Sequence, residues 1–296
     1  MIQLNELTKT FKNGRGIFQL NFTVKRGEVF GFLGPNGAGK STTIRHLMGF
    51  IKPESGNAEI NGLDCWRESA DIQHQVGYLP GEIAFPEGMN GYQFLKLLAG
   101  MRGMKDYDTS LDLLIERLQF DVHTPFRKMS KGMKQKVGIV AAFMHAPTVL
   151  ILDEPTSGLD PLMQNVFIVL VKEAKNAGKT VIMSSHSFEE INRTCDRAGI
   201  IKDGRIIAIE DVQQLQSMQR KMIDLTLATK QDITVIRESN IEIVNEEGLT
   251  IKIALQGNYD DFIQTLSKCK VKNMDIHAQK LEDIFMHYYN QKERMG

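Results

Sequence analysis

The sequence predicts an α/β fold built on a largely parallel sheet, followed by a second, smaller α+β domain. Three observations carry this. Apolar runs suited to buried strands alternate with helical patterns over residues 149–196. A glycine-rich loop follows one apolar run and opens a helix. Near residue 210 the pattern changes to short strand candidates separated by turn signals. The 296 residues leave room for one large domain of about 200 to 220 residues and a smaller one.

Taken in order, Phe18, Leu20, Phe22 and Val24 alternate with Gln19, Asn21 and Thr23, the period of a half-buried antiparallel strand. Arg26-Gly27 then turns into the apolar run Val29-Phe30-Gly31-Phe32-Leu33. Residues 75–79 read as a short strand stopped by Pro80-Gly81. Residues 91–146 are helical in pattern, with Leu111, Leu114, Ile115 and Leu118 on one face and Asp112, Glu116 and Arg117 off it. After Pro147 come a buried strand (149–152), a helix (161–177), a strand (180–183) and a helix (188–196). Residues 211–221 are polar and helix-like, suited to a linker. Beyond them, residues 223–227, 241–244 and 250–254 are strand candidates, and Asn245-Glu246-Glu247-Gly248 suits a hairpin turn. A helix (259–268), a strand (271–276) and a closing helix (281–289) complete the expected small domain.

The loop between the first apolar run and its helix reads Gly34-Pro35-Asn36-Gly37-Ala38-Gly39-Lys40-Ser41, a complete G-x-x-x-x-G-K-[ST] match in the strand–loop–helix context the motif requires. Glycines let successive backbone N–H groups turn inward around an anionic phosphate chain, which a β-carbon would block. Lys40 is placed to reach β- and γ-phosphates and Ser41 to ligate Mg²⁺, and the helix adds its positive N-terminal end. A nucleoside triphosphate is the expected ligand.

Composition narrows the classes. The 36 basic and 36 acidic residues balance, so no basic excess points to nucleic acid. Cys65, Cys195 and Cys269 lie far apart without a C-x-x-C pair, which argues for a reducing compartment and against a disulfide framework or cysteine zinc site. Met1-Ile2-Gln3-Leu4-Asn5-Glu6 does not read as a secretory signal. The most apolar stretch, residues 137–152, contains His145 and Pro147 and is too short to span a bilayer.

Val149-Leu150-Ile151-Leu152 ends in Asp153-Glu154. At a strand's carboxyl end beside the phosphate loop, Asp153 can hold Mg²⁺ through its water shell and Glu154 can orient an attacking water. Phosphoryl transfer needs little beyond such positioning and charge neutralisation. A strand merely ending in solvated acids is the bland alternative. Ser157-Gly158-Leu159-Asp160 follows. His186 comes just past the strand at 180–183, where sites of open α/β sheets collect, and a neutral imidazole there can hydrogen-bond the γ-phosphate or the water.

Together these elements resemble the ATP-binding subunit of an ABC transporter over about residues 1–210. Residues 34–42, through Thr42, match its Walker A loop. Met129-Ser130-Lys131-Gly132-Met133-Lys134-Gln135 occupies the signature position, residues 149–154 match Walker B, residues 157–160 the D-loop, and His186 the switch histidine. Phe11 stands where the family stacks an aromatic on adenine; a core position is the alternative. The resemblance implies a P-loop NTPase fold: a RecA-like parallel core, an antiparallel β-subdomain and an inserted helical subdomain (about 90–146), then a linker helix (211–222) and an accessory α+β domain (223–296). It also implies ATP and Mg²⁺ as ligands, a homo- or heterodimer of ATPase subunits, and a separate membrane permease. The chain would then be cytoplasmic and peripheral on the inner face of the cell membrane, with no nucleic-acid partner.

Ser130 can cap the helix running through Val137 and Ala141, offering free N–H groups to an anion. In the family that helix end binds the γ-phosphate of ATP held by the opposite subunit, which assigns Ser130 and Gly132, with Asp160 of the D-loop, to the nucleotide. Two departures stand out. Lys131 replaces the first glycine of the usual leucine-serine-glycine-glycine-glutamine signature, and Met133 its glutamine. The family's metal-sensing glutamine after Tyr78-Leu79-Pro80 is here Gly81, followed by Glu82, which either substitutes as a metal-water ligand or leaves the contact missing. Both variants resemble type-2 exporters of drugs, antibiotic peptides or sodium, as does Lys280-Leu281-Glu282-Asp283-Ile284-Phe285, similar to the closing helix of their accessory domain. The 15 methionines are scattered and read as core or filler.

A soluble ABC-type ATPase acting on nucleic acid or ribosomes is the alternative. Such chains carry long insertions between the Walker motifs or two ATPase domains, whereas about 110 residues separate the motifs here, the length of one helical subdomain. A small-molecule kinase or GTPase would lack the signature helix, and no Asn-Lys-x-Asp base reader is present.

Overall fold

The computed structural model describes residues 1–105, 108–217, 220–255 and 259–279. The chain divides into two compact units, Met1–Val212 and Gln213–Gly296. The expected accessory-helix motif at 280–285 lies outside the described residues.

In the first unit the elements are β1 (Ile2–Thr10), β2 (Gly16–Val24), β3 (Val29–Leu33), α1 (Lys40–Leu47), β4 (Ser55–Ile60), β5 (Leu63–Asp64), α2 (Ser69–Gln75), β6 (Val76–Leu79), α3 (Gly91–Met101), α4 (Asp108–Leu118), α5 (Lys131–Phe143), β7 (Val149–Asp153), α6 (Pro161–Asn176), β8 (Thr180–Ser185), α7 (Phe188–Thr194), β9 (Arg197–Lys202) and β10 (Arg205–Asp211). A six-stranded sheet runs β10-β9-β3-β8-β7-β6, parallel throughout except for the edge strand β10. A second, antiparallel sheet runs β2-β1-β4-β5.

The central strands read as unbroken apolar runs because both of their faces are covered. In β7, Leu150 and Leu152 join the core shared with α3–α7, whereas Val149 and Ile151 join the core beneath α1 and the antiparallel sheet. Each such fully buried aliphatic side chain contributes about 1.5–3 kcal/mol of transfer free energy. Leu111 and Leu118 of α4 are buried with Val137 and Val140 of α5 in the helical region. No helix among the described residues is long and apolar enough to cross a membrane.

The alternation in β2 breaks at its start. Leu20, Phe22 and Val24 are buried as expected, but Ile17 takes the inward place and Phe18 is only half-buried. Gln19 sits at φ 50° and the pairing with β1 shifts register between Leu7 and Lys9. This irregularity turns Phe18 outward under the Arg205 guanidinium, 5.3 Å from its ring centre.

α8 (Val212–Ser217) occupies part of the expected linker; Asp211 ends β10, and Lys221 and Met222 already belong to the next strand. The second unit contains β11 (Lys221–Leu227), α9 (Lys230–Arg237), β12 (Glu242–Glu247), β13 (Thr250–Leu255), α10 (Tyr259–Leu266) and β14 (Val271–Ala278), with sheet order β12-β13-β11-β14, antiparallel throughout. Asn245, Glu246 and Glu247 extend β12, so the turn is the pair Gly248-Leu249 rather than residues 245–248. The strands β9 and β10 and the helix α9 were not anticipated from sequence.

Candidate functional site

Adjacency of β3, β8 and β7 brings the chemistry together. Leu33 lies level with Ser185, and Ser184 with Asp153, so the loop after β3, the acids at the end of β7 and the histidine after β8 emerge side by side at the carboxyl edge of the sheet.

The loop from Gly34 to Gly39 is shaped by its glycines. Gly39 has φ 111°, and a β-carbon there would stand 2.8 Å from Ile17 and 3.1 Å from Ile201. At Gly34 a β-carbon would meet the Ile201 carbonyl oxygen at 2.3 Å. Pro35, Asn36 and Gly37 form the exposed tip, with Ala38 buried beneath. Gly39 is the N-cap of α1 and supplies no side-chain cap, and the first turn carries no acid. The leading N–H groups and the positive end of the helix dipole are thus offered to an anion. Ser41 lies exposed in the first turn and Thr42 half-buried beside it.

Lys40 is only 5% exposed. Its Nζ donates to the carbonyls of Gly34 at 2.6 Å and Pro35 at 3.3 Å and stands 3.6 Å from Glu154 Oε1. Glu154 Oε2 in turn lies 3.4 Å from His186 Nδ1. One carboxylate therefore spans from the loop's lysine to the histidine after β8. To reach this position Glu154 adopts φ 47°, a left-handed conformation costing a non-glycine residue roughly 1 kcal/mol or more. Its amide is held by Ser184 Oγ at 3.0 Å, and the same hydroxyl donates to the buried Asp153 Oδ1. Ser184 thereby orients both acids. Asp153's charge and burial together push the Tyr78 phenol up to about 12, burial being the larger cause.

The segment after Pro80 meets Asp153 directly: a β-carbon on Gly81 would lie 3.2 Å from Asp153 Oδ2. Glu82 is exposed in the following loop. Among the described residues no three His, Cys, Asp or Glu side chains cluster as a metal site. Asp153 at the end of β7 and Ser41 in the first turn of α1 are hard-oxygen donors of the kind Mg²⁺ takes, and two such side chains would hold it only with substrate phosphates and water completing its shell.

Ser130 caps α5, its Oγ accepting from the Met133 N–H at 3.2 Å. Lys131, next along, donates to Ser157 Oγ at 2.9 Å. A β-carbon on Gly132 would stand 2.6 Å from the Gly158 carbonyl oxygen. The start of α5 is thus seated against the 157–160 loop of its own chain. Gln135, buried one turn on, donates to the carbonyls of Pro155 at 2.9 Å and Glu154 at 3.4 Å. Asp160 caps α6, accepting from the Met163 N–H at 3.0 Å, with Pro161 at the first helical position. Its carboxylate is engaged in fixing this loop.

Phe11 is 38% exposed at the end of β1, in a turn closed by its own amide on the Arg15 carbonyl at 2.8 Å. That turn leads into Gly16 and Ile17, which pack on Gly39. The sequence shows Gln135 only as the end of the signature segment and assigns Ser184 and Ser185 no site role; for the two serines the available signal is a pair of hydroxyls ending an otherwise apolar parallel strand.

The sequence profile described as ABC transporter matches residues 17–157. The chain is 34% identical over 255 residues to the bacitracin transport ATP-binding protein of Bacillus licheniformis, covering 84% of this chain and 83% of that protein. It is 33% identical over 306 residues to the linearmycin resistance ATP-binding protein of Bacillus subtilis strain 168, covering 97% of each. Among solved structures, an ATP-binding subunit of an ABC transporter superposes with a TM-score of 0.68 at 31% identity, over 73% of this chain and 92% of that one. A dimeric bacterial ABC transporter cassette gives 0.66 at 22% identity, over 72% and 99%, a likeness of fold.

Proposed function

This chain belongs to the ABC transporter family as an ATP-binding subunit that hydrolyses ATP, and we propose that it drives export through a separate membrane permease as one half of an ATPase dimer. The observation that carries the export reading is the likeness to the linearmycin resistance protein, which runs over both units of the chain. Gly81, Lys131 and Met133 support it as variants shared with exporter-type subunits. The cargo class these relatives point to is an antibiotic or similar drug-like molecule.

In this reading the amides of residues 34–40 and the Lys40 ammonium hold the triphosphate, and Phe11 stacks on the base. Ser41 and Asp153 would hold Mg²⁺, which when bound neutralises phosphate charge and bridges phosphate oxygens. Glu154 orients and polarises the attacking water, and His186 holds Glu154 from the other side. Ser130, Gly132 and the start of α5, held by the 157–160 loop of their own chain, face the nucleotide of the partner subunit. Glu82 lies outside this set, and Asp160 serves by fixing the loop that carries Ser157. The chain sits on the inner membrane face through its permease.

Glu154→Gln should keep ATP binding and lose hydrolysis by roughly 100-fold or more; a variant turning over at the wild-type rate sinks the assignment of the water-polarising base. The dimer is tested by mixing Lys40→Ala and Ser130→Ala chains, each expected to be inactive. Partial recovery on mixing supports a two-chain site, and none argues for a site complete in one chain. Co-expression with a cognate permease should move the subunit into detergent-extracted membranes; persistence in the supernatant with every neighbouring permease would contradict the transport role.

A further inference from the structure

His186 is 65% exposed, so packing alone does not hold its imidazole ring in reach of Glu154. The support comes from both sides of it in sequence. Ser185, buried at the end of β8, donates its hydroxyl to Glu190 Oε2 at 2.5 Å and accepts from the Ser187 N–H at 2.9 Å. Ser187 is the N-cap of α7 and accepts from the Glu190 N–H at 3.4 Å. Glu190 stands at the third position of that helix, where an acid ordinarily reaches back to the amide of the capping residue. Here the Ser187 amide goes to Ser185 instead, and the Glu190 carboxyl is diverted to the Ser185 hydroxyl at the strand end. A residue serving only the helix cap would not need that detour.

We propose that Glu190 is the positioning residue for His186: through the Ser185 hydroxyl it clamps the 185–187 turn and so holds the imidazole against Glu154. The inference rests on the roles given above to Glu154 and His186. Glu190, His186, Ser187, Thr156 and Ser157 line one cleft of about 310 Å³, so the clamp borders the space where the 157–160 loop meets the switch turn. Burial pushes the Glu190 carboxyl above the usual carboxylate range, against the opposing effect of the Ser185 and Thr156 hydroxyls and the His186 charge, while the Glu154 charge adds to the rise. Its Oε2 is held by the Ser185 hydroxyl in a half-buried position, so it acts as a hydrogen-bonding partner and not as a solvated surface acid. It touches no reacting atom.

The test is steady-state hydrolysis and ATP binding by the full-length subunit carrying Glu190→Ala, Glu190→Gln, Ser185→Ala, His186→Ala and the double variant Glu190→Ala/His186→Ala. Glu190→Ala and Ser185→Ala should each lower kcat roughly tenfold, as a misplaced catalytic group does, with the Kd for ATP within about twofold of wild type. Glu190→Gln, whose amide oxygen can still accept from Ser185, should recover most of the rate. The double variant should be no slower than His186→Ala alone. The proposal is overturned if Glu190→Ala turns over normally, if its loss multiplies with that of His186→Ala, or if Glu190→Gln is as slow as Glu190→Ala. Should Glu190→Ala fail to fold, a normal rate in Ser185→Ala overturns it equally. A normal rate in His186→Ala sinks the reading of the histidine itself, whereas a slow His186→Ala beside a normal Glu190→Ala sinks only the clamp.

Discussion

At the carboxyl ends of β3, β7 and β8 the first unit buries Lys40, Asp153, Ser184 and Ser185; the second unit's sheet buries Ile223, Leu225, Ile251 and Ile253 and leaves its charges outside. Arg237 pairs with Glu246 at 2.6 Å and Arg220 with Glu242 at 2.6 Å on the surface of that unit, contacts worth about 0–1 kcal/mol each. Its buried acid, Asp232, is consumed by a helix cap: it accepts from the Thr229 amide and hydroxyl and from the Lys270 amide, and the Thr229 hydroxyl is the leading cause of its lowered pKa. In the first unit the polar groups instead converge on one opening, and Glu154 accepts backbone strain to join them. Burial of polar groups is costly unless they are partnered. Where the partners are few and aimed at a shared space, as around Lys40, the expense points to a ligand. Where they close on a turn, as at Asp232, it points to folding.

The contrast is open to attack. Its largest expected effect is at Lys40. Lys40→Ala should abolish hydrolysis, by roughly 100-fold or more, and weaken ATP binding while leaving the melting temperature within a few degrees. A variant whose melting temperature drops sharply while nucleotide binding is kept would make the buried lysine a structural element like Asp232 and erase the distinction. Next is Leu225→Ala, which removes a fully buried side chain of β11. A loss of about 2–5 kcal/mol in unfolding of the second unit is expected, with ATP affinity unchanged. Chemical denaturation followed alongside nucleotide binding checks both, and loss of binding would show the two units to be energetically inseparable.

The smallest effect is a titration. Burial, then the Arg102 charge, lower the His145 pKa from 6.5 to about 4, so the folded chain holds the ring neutral while the unfolded chain protonates it as pH falls below its ordinary value. The associated stability is present at neutral pH and drains away between pH 6.5 and about 4. The melting temperature should fall from pH 7 to pH 5, and His145→Gln should flatten that slope. An unchanged slope would remove His145 from the acid sensitivity of the first unit.

The parts legible in the sequence were those whose chemistry fixes local spacing. A phosphate loop needs its glycines, lysine and serine in one run, and an acid pair at a strand's end announces itself by the apolar residues before it. The alternation of β7, α6, β8 and α7 was equally plain, since buried parallel strands are continuous apolar runs. What stayed hidden depends on contacts between distant segments. Gln135 reaching Pro155, Lys131 reaching Ser157, and Ser184 bridging Asp153 and Glu154 follow from which strands become neighbours. Phe18 faced the wrong way because one left-handed residue, Gln19, reset the alternation. The β9–β10 hairpin was missed because Arg197 and Lys202 bracket only a short apolar stretch, and α9 because eight residues give little periodicity.

Gly81 has a further consequence. A glutamine at that position would answer to Asp153 through a flexible side chain, and fixing a long polar side chain costs up to about 2 kcal/mol of rotamer entropy each time it engages. Here the main chain itself lies at that carboxylate, since a β-carbon on Gly81 would already stand within 3.2 Å of it. No side-chain torsions need be frozen for a displacement of the 80–82 loop to be felt at Asp153. The proximity is one of main chain to carboxylate and does not depend on a side-chain rotamer.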